Sequence, residues 1–128
     1  MITALILLPL VGVLFTTVVG ENRARGIALG CNALTAILAV GLWRNFDTAA
    51  TGLQLIERHA WIPAIGAEYL VGIDGLSLLL VLLTSLIIPF AFLAQRMGRG
   101  FCALMLVMQS ALYGTFTAQN FVLWFLFY

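Results

Sequence analysis

Hydrophobic and polar positions along this chain fall into long blocks, with neither the alternation of a half-buried strand nor the stripe of a soluble helix. No Asp, Glu, Lys or Arg occurs in residues 1–20, 26–43, 75–95 or 100–128. A helix at the surface of a soluble protein shows a polar face that returns every three to four residues, and these blocks have none. Crossing a hydrocarbon core of about 30 Å takes about 20 apolar residues. The pattern therefore predicts an all-α integral membrane protein, a single membrane domain over residues 1–128. Four transmembrane helices are expected at about 2–19, 27–43, 75–94 and 101–117, with the start of a fifth at 120–128. That last run is too short to span the bilayer as it stands.

The connecting segments are expected to be an inner loop at 21–25, an outer loop at 45–73 and an inner turn at 95–100. The outer loop is the one sizeable polar stretch. Residues 53–58 partly alternate, residues 62–66 contain Pro63 and Gly66, and residues 68–71 can be extended, which predicts a short β-hairpin on the membrane surface. Trp61 and Tyr69 suit headgroup depth. Pro9 and Pro89 fall inside predicted helices and should kink them, a distortion that neighbouring helices can absorb in lipid. Gly26 and Gly30 form a small-x-x-x-small pair that offers a close helix approach.

Composition sharpens this picture. Hydrophobic residues make up 63% and charged residues 9% of the chain, and the mean hydropathy is +1.12. A soluble core in a chain this small has no room for so much apolar surface. The net charge of +1 matters less than its placement. Arg23 and Arg25 lie between the first two blocks and Arg96 and Arg99 between the next two, so the positive-inside rule puts both turns on the cytoplasmic side. The amino terminus is then expected on the periplasmic side of a bacterial cytoplasmic membrane. The first block lacks a basic leader and a small-residue cleavage site, so it reads as a retained helix. Cys31 and Cys102 have no partner at metal-ligand or redox spacing and read as small apolar residues.

Proton or cation transport needs ionisable groups at membrane depth. None of the four complete helices has one. Asp74 comes nearest, at the start of the third helix, where capping and an interfacial role are favoured over a step in a proton path. His59, beside Glu57 and without a second His, reads as a solvated loop residue. No catalytic, cofactor-binding or metal-binding residue is expected in this chain, and no cofactor, because no phosphate loop, cysteine cluster, haem-ligand pattern or nucleophile-and-base pair occurs. Gln109, Ser110, Thr115 and Thr117 favour facing protein or water, either as helix–helix glue or as a channel lining. Asn120 is the expected N-cap of the fifth segment.

Several stretches in order resemble the antiporter-like subunits of respiratory complex I, and most closely chain M of bacterial NADH-quinone oxidoreductase, the counterpart of mitochondrial subunit 4. Trp61-Ile62-Pro63 followed by residues 69–84, with Gly72-Ile73-Asp74-Gly75-Leu76-Ser77 at their centre, looks like that family's outer loop and third helix. Residues 108–128, including Gln109-Ser110-Ala111 and Trp124-Phe125-Leu126-Phe127-Tyr128, look like its fourth helix, turn and start of the fifth. Leu7-Leu8-Pro9-Leu10 also fits. The resemblance implies proton translocation coupled to quinone reduction elsewhere in a large complex, with other membrane subunits and the lipid bilayer as partners and no nucleic acid. The family's pumping glutamate in the fifth helix and its lysines in later helices match no position here, and the chain contains no Lys.

Two expectations follow. The chain is an amino-terminal fragment of such a subunit, or it is a truncated relative with a structural or assembly role in a respiratory or photosynthetic membrane complex. The intact mass of the purified protein, or the reading frame beyond the Tyr128 codon, separates them. A frame that continues into a Glu removes the second.

Overall fold

The computed structural model describes residues 1–94 and 98–128. Helix α1 spans Ile2–Val18, α2 Glu21–Arg44, α3 Gly75–Ala94, α4 Arg99–Thr117 and α5 Phe121–Phe127; strands β1 (Gln54–Ile62) and β2 (Ala67–Ile73) lie between α2 and α3. Among the described residues three helices, α2, α3 and α4, are long and apolar enough to cross a membrane. Helix α1, at 17 residues, is shorter, and α5 has only seven.

The expected inner loop at 21–25 is corrected: these residues are the first turns of α2. At about 1.5 Å per residue, its 24 residues reach about 36 Å, more than the hydrocarbon core, so a polar first turn stays helical in the headgroup region. Glu21 there also suits the positive end of the helix. Arg25 turns inward, and its Nη2 donates to the Phe92 and Leu93 carbonyls at 2.9 and 3.3 Å near the end of α3. A cation there opposes the negative end of the α3 dipole. Gln95 and Arg96, expected in the inner turn, lie outside the described residues, and Arg99 is the first residue of α4.

Helix α1 packs on α2 and α4, α2 on α3, and α3 on α4, while α5 lies against α4 and β2. The buried side chains form two apolar clusters. One holds Ile2, Leu5, Ala39, Leu42, Leu78, Val81 and Tyr113 with Val71 and Ile73 of the hairpin. The other holds Ala28, Ile88, Phe92, Cys102 and Leu106. On each long helix a buried polar pair falls between them: Asn32 and Thr35 between Ala28 and Ala39, Thr84 and Ser85 between Val81 and Ile88, Gln109 and Ser110 between Leu106 and Tyr113. The outward faces carry Leu34, Ile37, Leu79, Leu83, Leu86, Phe90 and Leu104, all exposed. Such a continuous apolar surface suits lipid.

Among the described residues the close approach that the Gly26 and Gly30 spacing offers is not used. A Cβ at either glycine meets nothing within 4 Å, whereas one at Gly12 would lie 2.7 Å from Cys31 Sγ and 3.2 Å from Leu106 Cδ1, and one at Gly114 would lie 2.3 Å from the Phe127 ring. Small residues matter where a neighbour is already in place. The spacing of Gly26 and Gly30 marks a helix face that meets no other helix of this bundle.

The outer loop contains the expected hairpin. The strands pair antiparallel, with His59 opposite Tyr69 and Glu57 opposite Val71, and the register is irregular between Gln54 and Glu57. Leu55 sits in that irregularity with φ of 54°, a left-handed value unusual for leucine, and packs against the outer apolar cluster. The free edge of β2 meets the turn after α4: Val71 bridges Ala118, and the Gln119 N–H donates to the Leu70 carbonyl at 2.9 Å. A strand edge at a membrane surface is thereby covered.

Gly12→Val should overpack the α1–α2–α4 junction and destabilise the protein by about 1–3 kcal/mol, while Gly30→Val should change stability by less. Equilibrium unfolding of the two variants in the same detergent checks the difference.

Candidate functional site

Two constellations carry the polar chemistry. The first lies inside the bundle. The Gln109 Nε2 donates to Thr35 Oγ1 at 3.1 Å and to the Tyr113 hydroxyl at 3.0 Å. The Tyr113 and Ser85 hydroxyls are 2.7 Å apart, and Ser85 donates to its own helix at the Val81 carbonyl, 2.8 Å away. With the Ser85 hydrogen so committed, Tyr113 is the donor of that pair. Thr35 in turn donates to the Asn32 carbonyl at 2.8 Å. The hydrogen bonds therefore all run outward from one amide on α4, to α2 on one side and to α3 on the other. Ser110 adds α1 by donating to the Ile6 carbonyl at 2.7 Å.

The prolines sit next to this layer. Pro9 has no N–H for the Leu5 carbonyl, and Pro89 has none for the Ser85 carbonyl. The backbone acceptors freed by the prolines thus fall within one residue of Ile6 and at Ser85, where the interhelical bonds form. The sequence had marked Gln109, Ser110, Thr115 and Thr117 as polar. Gln109 and Ser110 reach other helices. Thr115 and Thr117 donate to the Ala111 and Tyr113 carbonyls of their own helix, both at 2.8 Å. Thr35, Ser85 and Tyr113 escaped sequence reading, although on α2 the order Ala28, Asn32, Thr35, Ala39 repeats at spacings of four, three and four along one face.

The second constellation lies at the hairpin. Asp74 Oδ1 accepts the Ser77 N–H at 2.7 Å, and the Asp74 carbonyl accepts the Leu78 N–H at 2.9 Å, the geometry of a helix N-cap. The Ser77 backbone and side-chain hydrogen bonds hold the Asp74 carboxyl below its ordinary range. Asp74 is thus an ionised acceptor at the mouth of α3. The Asn120 side chain caps α5 in the same way, accepting the Val122 N–H at 2.9 Å.

At the hairpin, the cap that sequence reading missed is Glu57. Its carboxylate accepts the Ile2 N–H at 2.9 Å and the Thr3 N–H at 3.0 Å, and it is bonded also by the Thr3 hydroxyl and the Met1 amino group. Helix α1 has no side-chain cap of its own, so the hairpin supplies one from 54 residues away. The signal was available: a helix that starts without Ser, Thr, Asp or Asn at its N-cap needs an outside acceptor. Tyr69 extends the contact, its hydroxyl 3.0 Å from Thr3 Oγ1. Burial alone would raise the Glu57 carboxyl, but the hydrogen bonds from the Met1 amino group and Thr3, with the positive charge of the former, lower it to about 2. His59 is exposed and tilted against Tyr69 at 6.2 Å. Arg58 and Glu68 form a two-pronged pair at 2.8 and 2.7 Å on the exposed face, an arrangement that contributes little to stability. Among the described residues no three His, Cys, Asp or Glu side chains converge as metal ligands would.

Apolar helices long enough for a bilayer, joined at their centres by neutral hydrogen bonds, define a multi-pass helical membrane protein. Over nearly its whole length the chain is homologous to the chain 4 or M subunits of quinone oxidoreductases, the antiporter-like subunits of complex I, and it belongs with them. It is 35% identical over 131 residues to the F420H2 dehydrogenase subunit M of Methanosarcina mazei, covering 95% of this chain and 26% of that protein. It is 38% identical over 133 residues to an NAD(P)H-quinone oxidoreductase chain 4 of Nostoc sp., covering 98% and 25%. With the chain 4 of Gloeobacter violaceus the identity is 36% over 132 residues, covering 99% and 25%. The chain thus spans about a quarter of the length of the curated relatives it matches. No family model matches it.

Two outcomes are expected here. Tyr113→Phe removes the acceptor of one Gln109 N–H and the donor to Ser85, and should cost about 0.6–1.7 kcal/mol, the range of interhelical hydrogen bonds in membranes, read by equilibrium unfolding. Glu57 is depressed from an ordinary 4.5 to about 2, so its contribution is fully present above pH 4.5 and is lost as pH falls through about 2. Hydrogen exchange at Ile2 and Thr3 should therefore stay protected on acidification to pH 4.5 and rise only towards pH 2, and Glu57→Gln should weaken the protection at neutral pH.

Proposed function

We propose that this chain is the amino-terminal part of a membrane-arm subunit of a proton-translocating NADH:quinone oxidoreductase. It serves there as the scaffold beside the proton path. One observation carries the reading: the interhelical layer at membrane depth is built from Thr35, Ser85, Gln109 and Tyr113, all neutral, while the acidic groups Asp74 and Glu57 are engaged at helix mouths. A proton relay across lipid needs groups that take up and release charge. This layer instead holds helices in register. The homology to chain 4 and subunit M supports the assignment to the membrane arm.

In this reading α1 is a fourth crossing. Its 17 residues reach about 26 Å, within the range that local thinning of the bilayer accommodates. Helix α5 then begins a fifth, and the proton-transferring Glu and Lys residues belong to parts of the subunit beyond these residues. Arg23, Arg25 and Arg99 mark the cytoplasmic side of a bacterial inner membrane, and the hairpin and the start of α1 face the periplasm. Other membrane subunits of the complex cover part of the exposed apolar surface, and lipid covers the rest. A second reading, a structural or assembly subunit without transport activity, is favoured by the same neutral interior.

Asp74→Asn keeps an acceptor at the helix mouth but removes the charge that opposes the dipole. It should lower the amount of assembled complex more than the proton flux per assembled complex. Quantifying the complex on native gels and proton pumping in proteoliposomes checks this. Normal abundance with abolished flux would place Asp74 in the proton path and remove the scaffold reading.

A further inference from the structure

The neutral layer has two acceptors left over. Gln109 directs its Nε2 hydrogens to Thr35 and Tyr113, and Asn32 donates from Nδ2 to the Ala28 carbonyl at 2.8 Å. Their carbonyl oxygens, Gln109 Oε1 and Asn32 Oδ1, have no hydrogen-bond partner among the described residues. A buried acceptor of this kind is costly when it is left unmet, because it loses the hydrogen bonds that water would give it. The two side chains belong together. Asn32 lies three residues before Thr35 on the same buried face of α2, one helical turn from the hydroxyl that accepts from Gln109 at 3.1 Å; that hydroxyl itself donates to the backbone carbonyl of Asn32 at 2.8 Å.

Reversing the Gln109 amide does not resolve this. Oε1 would then face the Thr35 and Tyr113 hydroxyls, and two N–H groups would be orphaned in place of one oxygen. A side chain from another subunit, or from elsewhere in a longer chain, does not reach these groups either, because Gln109 is 0% and Asn32 1% exposed. A metal ion would ask for more oxygen ligands than two. What the pair lacks is a small molecule that donates two hydrogens and accepts little.

We propose that α2 and α4 enclose a bound water molecule that donates one hydrogen to Gln109 Oε1 and the other to Asn32 Oδ1. Two to four polar partners are what a buried water needs, and it is held for as long as the helices stay packed. The water completes a continuous chain from Asn32 on α2 through Gln109 and Tyr113 on α4 to Ser85 on α3. It makes the α2–α4 register depend on an enclosed solvent molecule at membrane depth.

The test uses the protein in its native membrane assembly, reconstituted in lipid nanodiscs, with ordinary water as the probe. A density map that resolves waters should show an isolated peak within hydrogen-bond distance of both oxygens. Empty density there, or a peak on only one of the two oxygens, overturns the proposal. Water-to-amide magnetisation transfer gives an independent readout at the Gln109 side-chain N–H signals. That transfer should be seen in the parent protein and lost in Asn32→Leu, which keeps the volume and removes the acceptor. Transfer that persists unchanged in a folded Asn32→Leu overturns the proposal as well. If that variant fails to fold, the density of the unmodified protein decides alone.

Discussion

Everything in the bundle refers back to the amide of Gln109. In water a glutamine on a helix surface decides little, because solvent satisfies it in any orientation. At membrane depth the same amide has to find its partners among other helices, and each partner fixes a distance and a rotation. Thr35 sets α2 and Tyr113 passes the constraint to Ser85 on α3. Ser110, one residue on, sets α1. Lipid gives no preference to apolar contacts between helices over contacts with its own chains, so dispersion and close packing alone would leave the register soft. The two apolar clusters on either side close the layer off from bulk solvent, and the layer gives them their alignment.

The hairpin does for the helix ends what the amide does for their centres. From one small sheet come the acceptor for the first turn of α1, through Glu57, and the approach to the cap of α3, since Asp74 directly follows β2. The turn after α4 pairs with the same strand. Three helix ends are thus satisfied by backbone and carboxylate at one surface. The bulge that turns Leu55 towards the outer apolar cluster keeps the sheet seated there, accepting a strained φ in return for a partly buried leucine.

Block hydropathy made the helical membrane class, the hairpin and the Asn120 cap readable from the sequence, because each depends on a local pattern. The start of α2 was misjudged because charge was taken to end a helix, although charge ends only its contact with hydrocarbon. Gly26 and Gly30 make a related point. Spacing shows that a face is small, and only the fold shows whether a neighbour lies against it. The resemblance to chain M located the relatives correctly. Gln109 and Ser110 were visible as polar residues in an apolar helix. Their partners were not, since Thr35 and Ser85 look ordinary until three helices are assembled. Glu57 was hidden for the same reason: its partner is far away in the chain.

That separation also sets an order of events. When α1 leaves the ribosome, the N–H groups of Ile2 and Thr3 have no acceptor within their own segment, and the carboxylate that meets them is made only after α2 is complete. Helix α1 is therefore capped only by a segment made after it and after α2. Until β1 arrives, the start of α1 has to rely on water for those N–H groups. Glu57 then replaces solvent with protein, so the cap of one helix waits on a strand that the chain has yet to make.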